Sequence, residues 1–213
     1  MLAGLAIAWA SGGLGALGRL LGERRAGAAQ AELIDELFGP VLERPELRAR
    51  AQGLSGAEQQ ALLFELARDG VARLPDEALL ERLELLREVA ANGDEATCAM
   101  VLVGGPPAAA AELLAALDDG TLRRWLTLSR DAVLANLRGD PARPLAPEDA
   151  ERARAALVGA LSPADAERFD TALRAPASLS RGEACALARA TLEAAAALPP
   201  AERQLVARLF ASG

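Results

Sequence analysis

Histidine, lysine and tyrosine are missing from all 213 residues of this chain. Without an imidazole, neither a Ser-His-Asp nor a Cys-His device can be assembled. Without lysine there is no amine for a Schiff base and no P-loop phosphate clamp. Cysteine occurs at Cys98 and Cys185 alone. That excludes a cysteine-rich zinc site and, with histidine gone, leaves ordinary metal ligation without its usual donors. No motif calls for a cofactor. Two isoleucines and eight valines are scattered along the chain. They are too few and too dispersed for the β-branched runs of a parallel sheet.

What the chain does have is alanine, leucine, arginine and acid. Apolar residues make up 52%, and much of that share is alanine. Strong helix formers with few β-branched residues predict an all-α fold, an irregular bundle of about 9–11 short helices behind an N-terminal apolar helix. All 23 basic residues are arginine, which reads as a GC-rich coding bias of bacterial type rather than as chemistry. The net charge is −7. From Ala26 onward, 20 arginines face 29 acids. A body so acidic argues against binding nucleic acid, which rests on neutralising phosphates. It fits a soluble, self-repelling surface.

Met1–Gly18 carries no charged side chain. As a helix it spans roughly 27 Å, close to the apolar thickness of a bilayer. Residues 1–22 therefore read as a single-pass membrane helix in contact with lipid, followed by a polar break over 23–27. Gly4, Gly12, Gly15 and Gly18 would let such a helix pack closely on a partner. A core helix is the plainer alternative. A cleavable signal, with Ala8-Trp9-Ala10 as its small-x-small site, lacks a preceding basic residue and a sufficient apolar core. Gly13-Leu14-Gly15-Ala16-Leu17-Gly18 spells G-x-G-x-x-G, with Asp35 and Glu36 near the spacing of a ribose-binding acid. No second βαβ unit follows, so the dinucleotide reading fails on context. Arg19, Arg24 and Arg25 follow the apolar run and none precedes it, which places the body on the cytoplasmic side. A Cys98–Cys185 bridge would argue for the periplasmic side. Two reduced, buried thiols are the plainer reading of that pair.

The rest of the chain divides into residues 28–138, a Pro/Gly linker over 139–146, and 147–213, as two halves of one globular unit. Gly39-Pro40 is expected to stop a helix begun at Ala28. Pro45 opens a short helix to Ala51. Ser55 with Glu58, and Ser180 with Glu183, are capping boxes. The first opens a helix closed by Gly70. Residues 76–91 form the clearest amphipathic helix, with Leu79, Leu80, Leu83, Leu86, Val89 and Ala90 as its stripe. Glu77, Glu81, Glu84 and Glu88 lie off that stripe at spacings suited to acid–base work, but also to a solvated face. Further helices are expected over 94–103, 108–117, 121–138 (capped by Thr121), 147–161, 163–174 (Phe169 and Leu173 inward), 181–197 and 201–211 (carrying Leu205, Leu209 and Phe210). Leu145, Leu161, Leu179 and Leu198 each precede a helix start. That rhythm is compatible with α-solenoid-like helix pairs.

Arg123, Arg124, Arg130 and Arg138 decorate one helix, answered within it by Asp131 alone. Such a face fits anionic lipid or an acidic partner. Pairing with the chain's own surplus carboxylates is the reading that charge balance favours. These features suggest a membrane-anchored helical interaction or scaffold protein without catalysis, binding a protein partner or itself. A soluble subunit of an oligomeric assembly, with residues 1–21 buried between subunits, is the second reading. A carboxylate-based enzyme is the third.

Overall fold

The computed structural model describes residues 28–103, 114, 117–175 and 179–211. Among the described residues there are ten helices and no strand. They are α1 (Ala28–Leu42), α2 (Pro45–Ala51), α3 (Gly56–Val71), α4 (Asp76–Asn92), α5 (Glu95–Val103), α6 (Asp119–Leu137), α7 (Pro147–Ala160), α8 (Pro163–Arg174), α9 (Arg181–Ala197) and α10 (Pro200–Ala211). The fold is all-α, as composition predicts. The apolar segment 1–22, Gly4, Gly12, Gly15 and Gly18, and the G-x-G-x-x-G lie outside the described residues. So does the expected helix over 108–117, apart from Leu114 and Leu117.

The chain divides into two compact units, each built from two separate stretches: Met1–Leu74 with Pro106–Ala142, and Pro75–Gly105 with Arg143–Gly213. Residues 75–105, grouped by chain order with 28–138, fall in the second of these units. Within that unit α4 and α5 pack on each other and on α9.

In the first unit α6 lies against both α3 and α1, and α2 packs on α1. Leu33, Ile34, Leu37 and Phe38 of α1 are buried, as are Leu122, Trp125, Leu126 and Val133 of α6. Helix α1 does not stop at Gly39-Pro40 but runs on to Leu42. Proline inside a helix costs about 3 kcal/mol. Continuing the turn leaves Val41 and Leu42 just 2% and 3% exposed. Burying two such side chains is worth about 3–6 kcal/mol, so burial wins. Gly70 likewise does not end α3, which runs through it to Val71. It is where α3 touches α6: a Cβ built on Gly70 would fall on the Ala132 carbonyl. Asn136 strengthens this contact by donating from Nδ2 to the Leu66 carbonyl at 3.2 Å. Helix α6 ends in a Schellman motif. Gly139 takes φ +71, its N–H reaches the Asn136 carbonyl, and the Asp140 N–H reaches that of Ala135, both at 3.0 Å.

In the second unit α9 is the central helix, packed on α4, α5, α7, α8 and α10. Ala184, Cys185, Leu187, Ala188, Thr191, Leu192, Ala194 and Ala195 are all buried. A helix surrounded on so many sides needs short side chains, and alanine supplies them. Its closest partner is α5, far away in sequence. This is bundle packing rather than the nearest-neighbour stacking of a solenoid. Leu173, expected inward, is 53% exposed, while Phe169 and Ala172 form the buried face of α8. In α10 the buried residues are Val206 and Ala207. Leu205, Leu209 and Phe210 flank them, half-buried.

Helix starts follow the sequence closely. Both capping boxes are made: the Ser55 N–H donates to Glu58 at 2.7 Å and the Ser180 N–H to Glu183 at 2.9 Å. Helix α6 is the exception. Its cap is Asp118, not Thr121, and the carboxylate accepts from the N–H groups of Gly120 and Thr121 at 3.0 Å. Asp94 caps α5 through the Thr97 N–H at 2.8 Å.

These caps set an acid sensitivity. The Ser55 and Ser180 hydroxyls hold Glu58 and Glu183 below the usual carboxylate range. The Thr121 and Thr97 backbone N–H groups do the same for Asp118 and Asp94. A carboxyl depressed in the folded state binds its proton more readily when unfolded. Its stabilisation is complete above the ordinary values of 4.5 for Glu and 3.8 for Asp, and is lost as pH falls through the folded ones. The melting temperature should therefore drop on acidification through that window. Asp118→Asn, which keeps an acceptor that cannot be protonated, should flatten part of the drop. An unchanged pH profile in that variant would remove Asp118 as the cap. Separately, Gly70→Ala should lower the melting temperature. Overpacking costs about 1–3 kcal/mol, more than the ~1 kcal/mol that alanine's helix propensity returns. Gly159→Ala in α7, where a new Cβ meets nothing within 4 Å, should raise it. Circular dichroism melts that move both variants the same way would contradict the Gly70 contact.

Candidate functional site

The second unit carries a half-open groove of about 360 Å³. Leu80 and Leu83 of α4 and Leu192 and Ala196 of α9 supply its apolar lining. Glu77, Glu81 and Glu84 stand along the α4 wall, and Arg87 and Arg203 complete the lining. The three carboxylates fall at i, i+4 and i+7, so about one per turn of α4 points the same way. Leu79, Leu83 and Leu86 are buried at 2–4% exposure, whereas Leu80 is half-buried. The apolar stripe of α4 is thus wider than the core it faces, and its uncovered edge lies in the groove.

Arg87 joins the two walls. Its Nε donates to Glu84 at 3.1 Å and its Nη1 to Glu193 of α9 at 3.0 Å. Those two hydrogen bonds, Glu84's first, raise the guanidinium above its ordinary range. The side chains stay well exposed, so the network orients the wall more than it stabilises the fold. Arg203 donates to the Ala196 carbonyl at 3.4 Å. Nearby, Arg82 donates to the Phe210 carbonyl at 3.4 Å, and burial pushes it down to about 10, still a cation at neutral pH. The arrangement can hold an apolar group and ion-pair with a charged flank.

Cys98 of α5 and Cys185 of α9 are joined as a disulfide, with Cα atoms 4.8 Å apart. Both are buried. The four arginines of α6 do not form one free basic face. Arg123 makes a forked pair with Glu36 of α1 at 2.9 and 3.0 Å. Arg130 pairs with Asp131 at 2.7 Å and Arg138 with Asp140 at 2.6 Å. Arg124 is engaged as well. Among the described residues no cluster of three or more His, Cys, Asp or Glu is placed to hold a metal, and no helix is long and apolar enough to cross a membrane.

Two functional placements escape sequence reasoning. One is the pairing of Leu80 with Leu192 and Ala196 across the groove, since nothing local says that α9 is the neighbour of α4. The other is Arg189 of α9, which donates to the Ala90 and Gly93 carbonyls at 2.7 and 3.1 Å. It caps the C-terminal end of α4, where a cation also suits the helix dipole. No known protein family, no curated protein and no solved structure matches the chain.

Arg189→Met should lower the denaturation midpoint of the second unit, by about 1–3 kcal/mol for charged hydrogen bonds to otherwise orphaned carbonyls. An unchanged midpoint in urea would mean that water serves those carbonyls equally well.

Proposed function

We propose that this chain is a helical interaction module without catalytic chemistry of its own, tethered to a membrane by residues 1–21 and working on its oxidising, periplasmic side. The observation that carries this reading is the Cys98–Cys185 bridge between the two most closely packed helices of the second unit. A bridge between buried sulfurs forms and persists where the surroundings are oxidising. It outweighs the opposite tendency of Arg19, Arg24 and Arg25, because three flanking charges bias topology only statistically. The missing histidine and lysine, and the open groove with its apolar floor, support binding over turnover.

The bridge closes a loop with a sequence separation of 87, for which chain entropy alone gives about 4–5 kcal/mol. Protein trapped in intact cells with N-ethylmaleimide should carry no adduct before reduction and two after it. Adducts on both cysteines without reduction would sink the oxidising-side reading. Sodium carbonate should leave the protein in the membrane pellet; intact protein in the supernatant would remove the tether and favour a soluble oligomer. In purified protein, reduction should lower the stability of the second unit by about 2–5 kcal/mol.

A further inference from the structure

We infer that Asn92-Gly93, where α4 ends, is a site of spontaneous deamidation whose rate is set by the last turn of that helix and by the Arg189 clamp across it. Neither the membrane tether nor the groove bears on this chemistry.

The chain has one Asn-Gly pair, and this is it. Glycine has no Cβ to shield its nitrogen, so the backbone amide can reach the preceding side chain. Deprotonated by solvent hydroxide, the Gly93 nitrogen adds to Asn92 Cγ. The Cγ–Nδ2 bond breaks, and the Nδ2 group leaves as ammonia, taking a proton from water. Water then opens the succinimide at either carbonyl, giving aspartate or isoaspartate. Nothing is oxidised or reduced. The electrophile stands in the open, since Asn92 is exposed. The glycine is not free to vary: a Cβ built on it would fall 2.5 Å from Thr97 Cγ2 and 2.7 Å from the Val89 carbonyl oxygen. Packing at the start of α5 thus keeps the reactive pair in place. Asp69-Gly70 and Asp119-Gly120 share the route, but an ionised carboxylate is a far poorer electrophile than an amide.

The nucleophile, by contrast, is committed. The Gly93 N–H donates to the Val89 carbonyl at 2.8 Å, closing the last turn of α4. Asn92 is the last helical residue. Ring closure needs its ψ to leave the helical well, so that the Gly93 nitrogen swings toward the side chain. Arg189 of α9 tightens the same turn through the Ala90 and Gly93 carbonyls, at 2.7 and 3.1 Å. Reaction therefore waits for fraying. Local opening takes on the order of microseconds to seconds, far less than deamidation, so the rate follows the population of the open turn. The product does not revert. It adds a negative charge to a chain already at −7, at a helix C-terminus where the dipole opposes it. Isoaspartate also lengthens the main chain by one carbon, which takes the Gly93 N–H out of register with Val89. Each chain so modified keeps a permanent record of the opening of α4.

The test incubates the full-length, oxidised protein at mildly alkaline pH beside an end-blocked synthetic peptide of residues 90–95. Peptide-mapping mass spectrometry follows both, and enzymatic methylation scores isoaspartate. Native protein should deamidate at Asn92 at least about ten-fold slower than the peptide, a ratio equivalent to ~1.4 kcal/mol. Asn136, followed by leucine and donating to the Leu66 carbonyl, should stay unmodified. Arg189→Met should raise the Asn92 rate about ten-fold while circular dichroism shows the fold intact. Arg189→Lys, which keeps a donor, should fall between. Urea well below the unfolding midpoint should raise the parent rate only slightly, because fraying exposes little surface. Asn92→Gln, whose ring would be six-membered, should abolish the reaction. A native rate equal to the peptide's would remove the gate and overturn the proposal. So would a rate that neither Arg189 variant changes, or a urea dependence as steep as that of global unfolding. If Asn92 stays intact in both parent and Arg189→Met after the peptide has fully converted, the site itself is wrong.

Discussion

Close approach between helices is the constraint on which the second unit depends. Helix α9 can be wrapped by five others because alanine and cysteine, beside Leu187, Thr191 and Leu192, make up its buried surface, and their short side chains let backbones come near. At Cys98 and Cys185 the Cα atoms are 4.8 Å apart, within the range that a disulfide requires. The first unit uses the same device at Gly70 against the Ala132 carbonyl. An alanine-rich chain can exploit such contacts widely. It gives up apolar area per residue but gains dispersion contacts between backbones.

The charged side chains follow from that packing. Long arginine side chains lie across helix ends and between helices, their guanidiniums reaching backbone carbonyls. Arg189 serves the end of α4, and Arg73 of the first unit reaches the Asp140 carbonyl beyond the end of α6. The remaining arginines are largely matched by nearby carboxylates, as Arg123 is by Glu36. A basic face that looks available along α6 is therefore mostly committed within the first unit. Glu77, Glu81 and Glu84 line one wall of the groove beside the half-buried Leu80. Stapling by the disulfide holds one wall of that groove, α9, in a fixed relation to α5, and α5 in turn packs on α4.

What the amino-acid order decided by itself was local. Capping boxes at Ser55 and Ser180, prolines at first helical positions, and the glycine after Arg138 act within one turn, so their partners can be read from adjacent residues. Helix number and most boundaries followed from them, and the scarcity of valine and isoleucine settled the all-α class. Where a local stop signal lost, as at Gly39-Pro40 and at Gly70, tertiary contact was the reason: Val41 and Leu42 had a core to enter, and Gly70 had a neighbouring helix to touch. The inward placement of Leu173 failed for the complementary reason, since α8 turns Phe169 and Ala172 to its neighbours and leaves that leucine outside. Which helices meet was decided by the tertiary structure alone. Periodicity marks an apolar face but carries no address. The pairing of α5 with α9, the bridge between their cysteines, and the groove that Leu80 shares with Leu192 came from long-range packing that no window of neighbouring residues encodes.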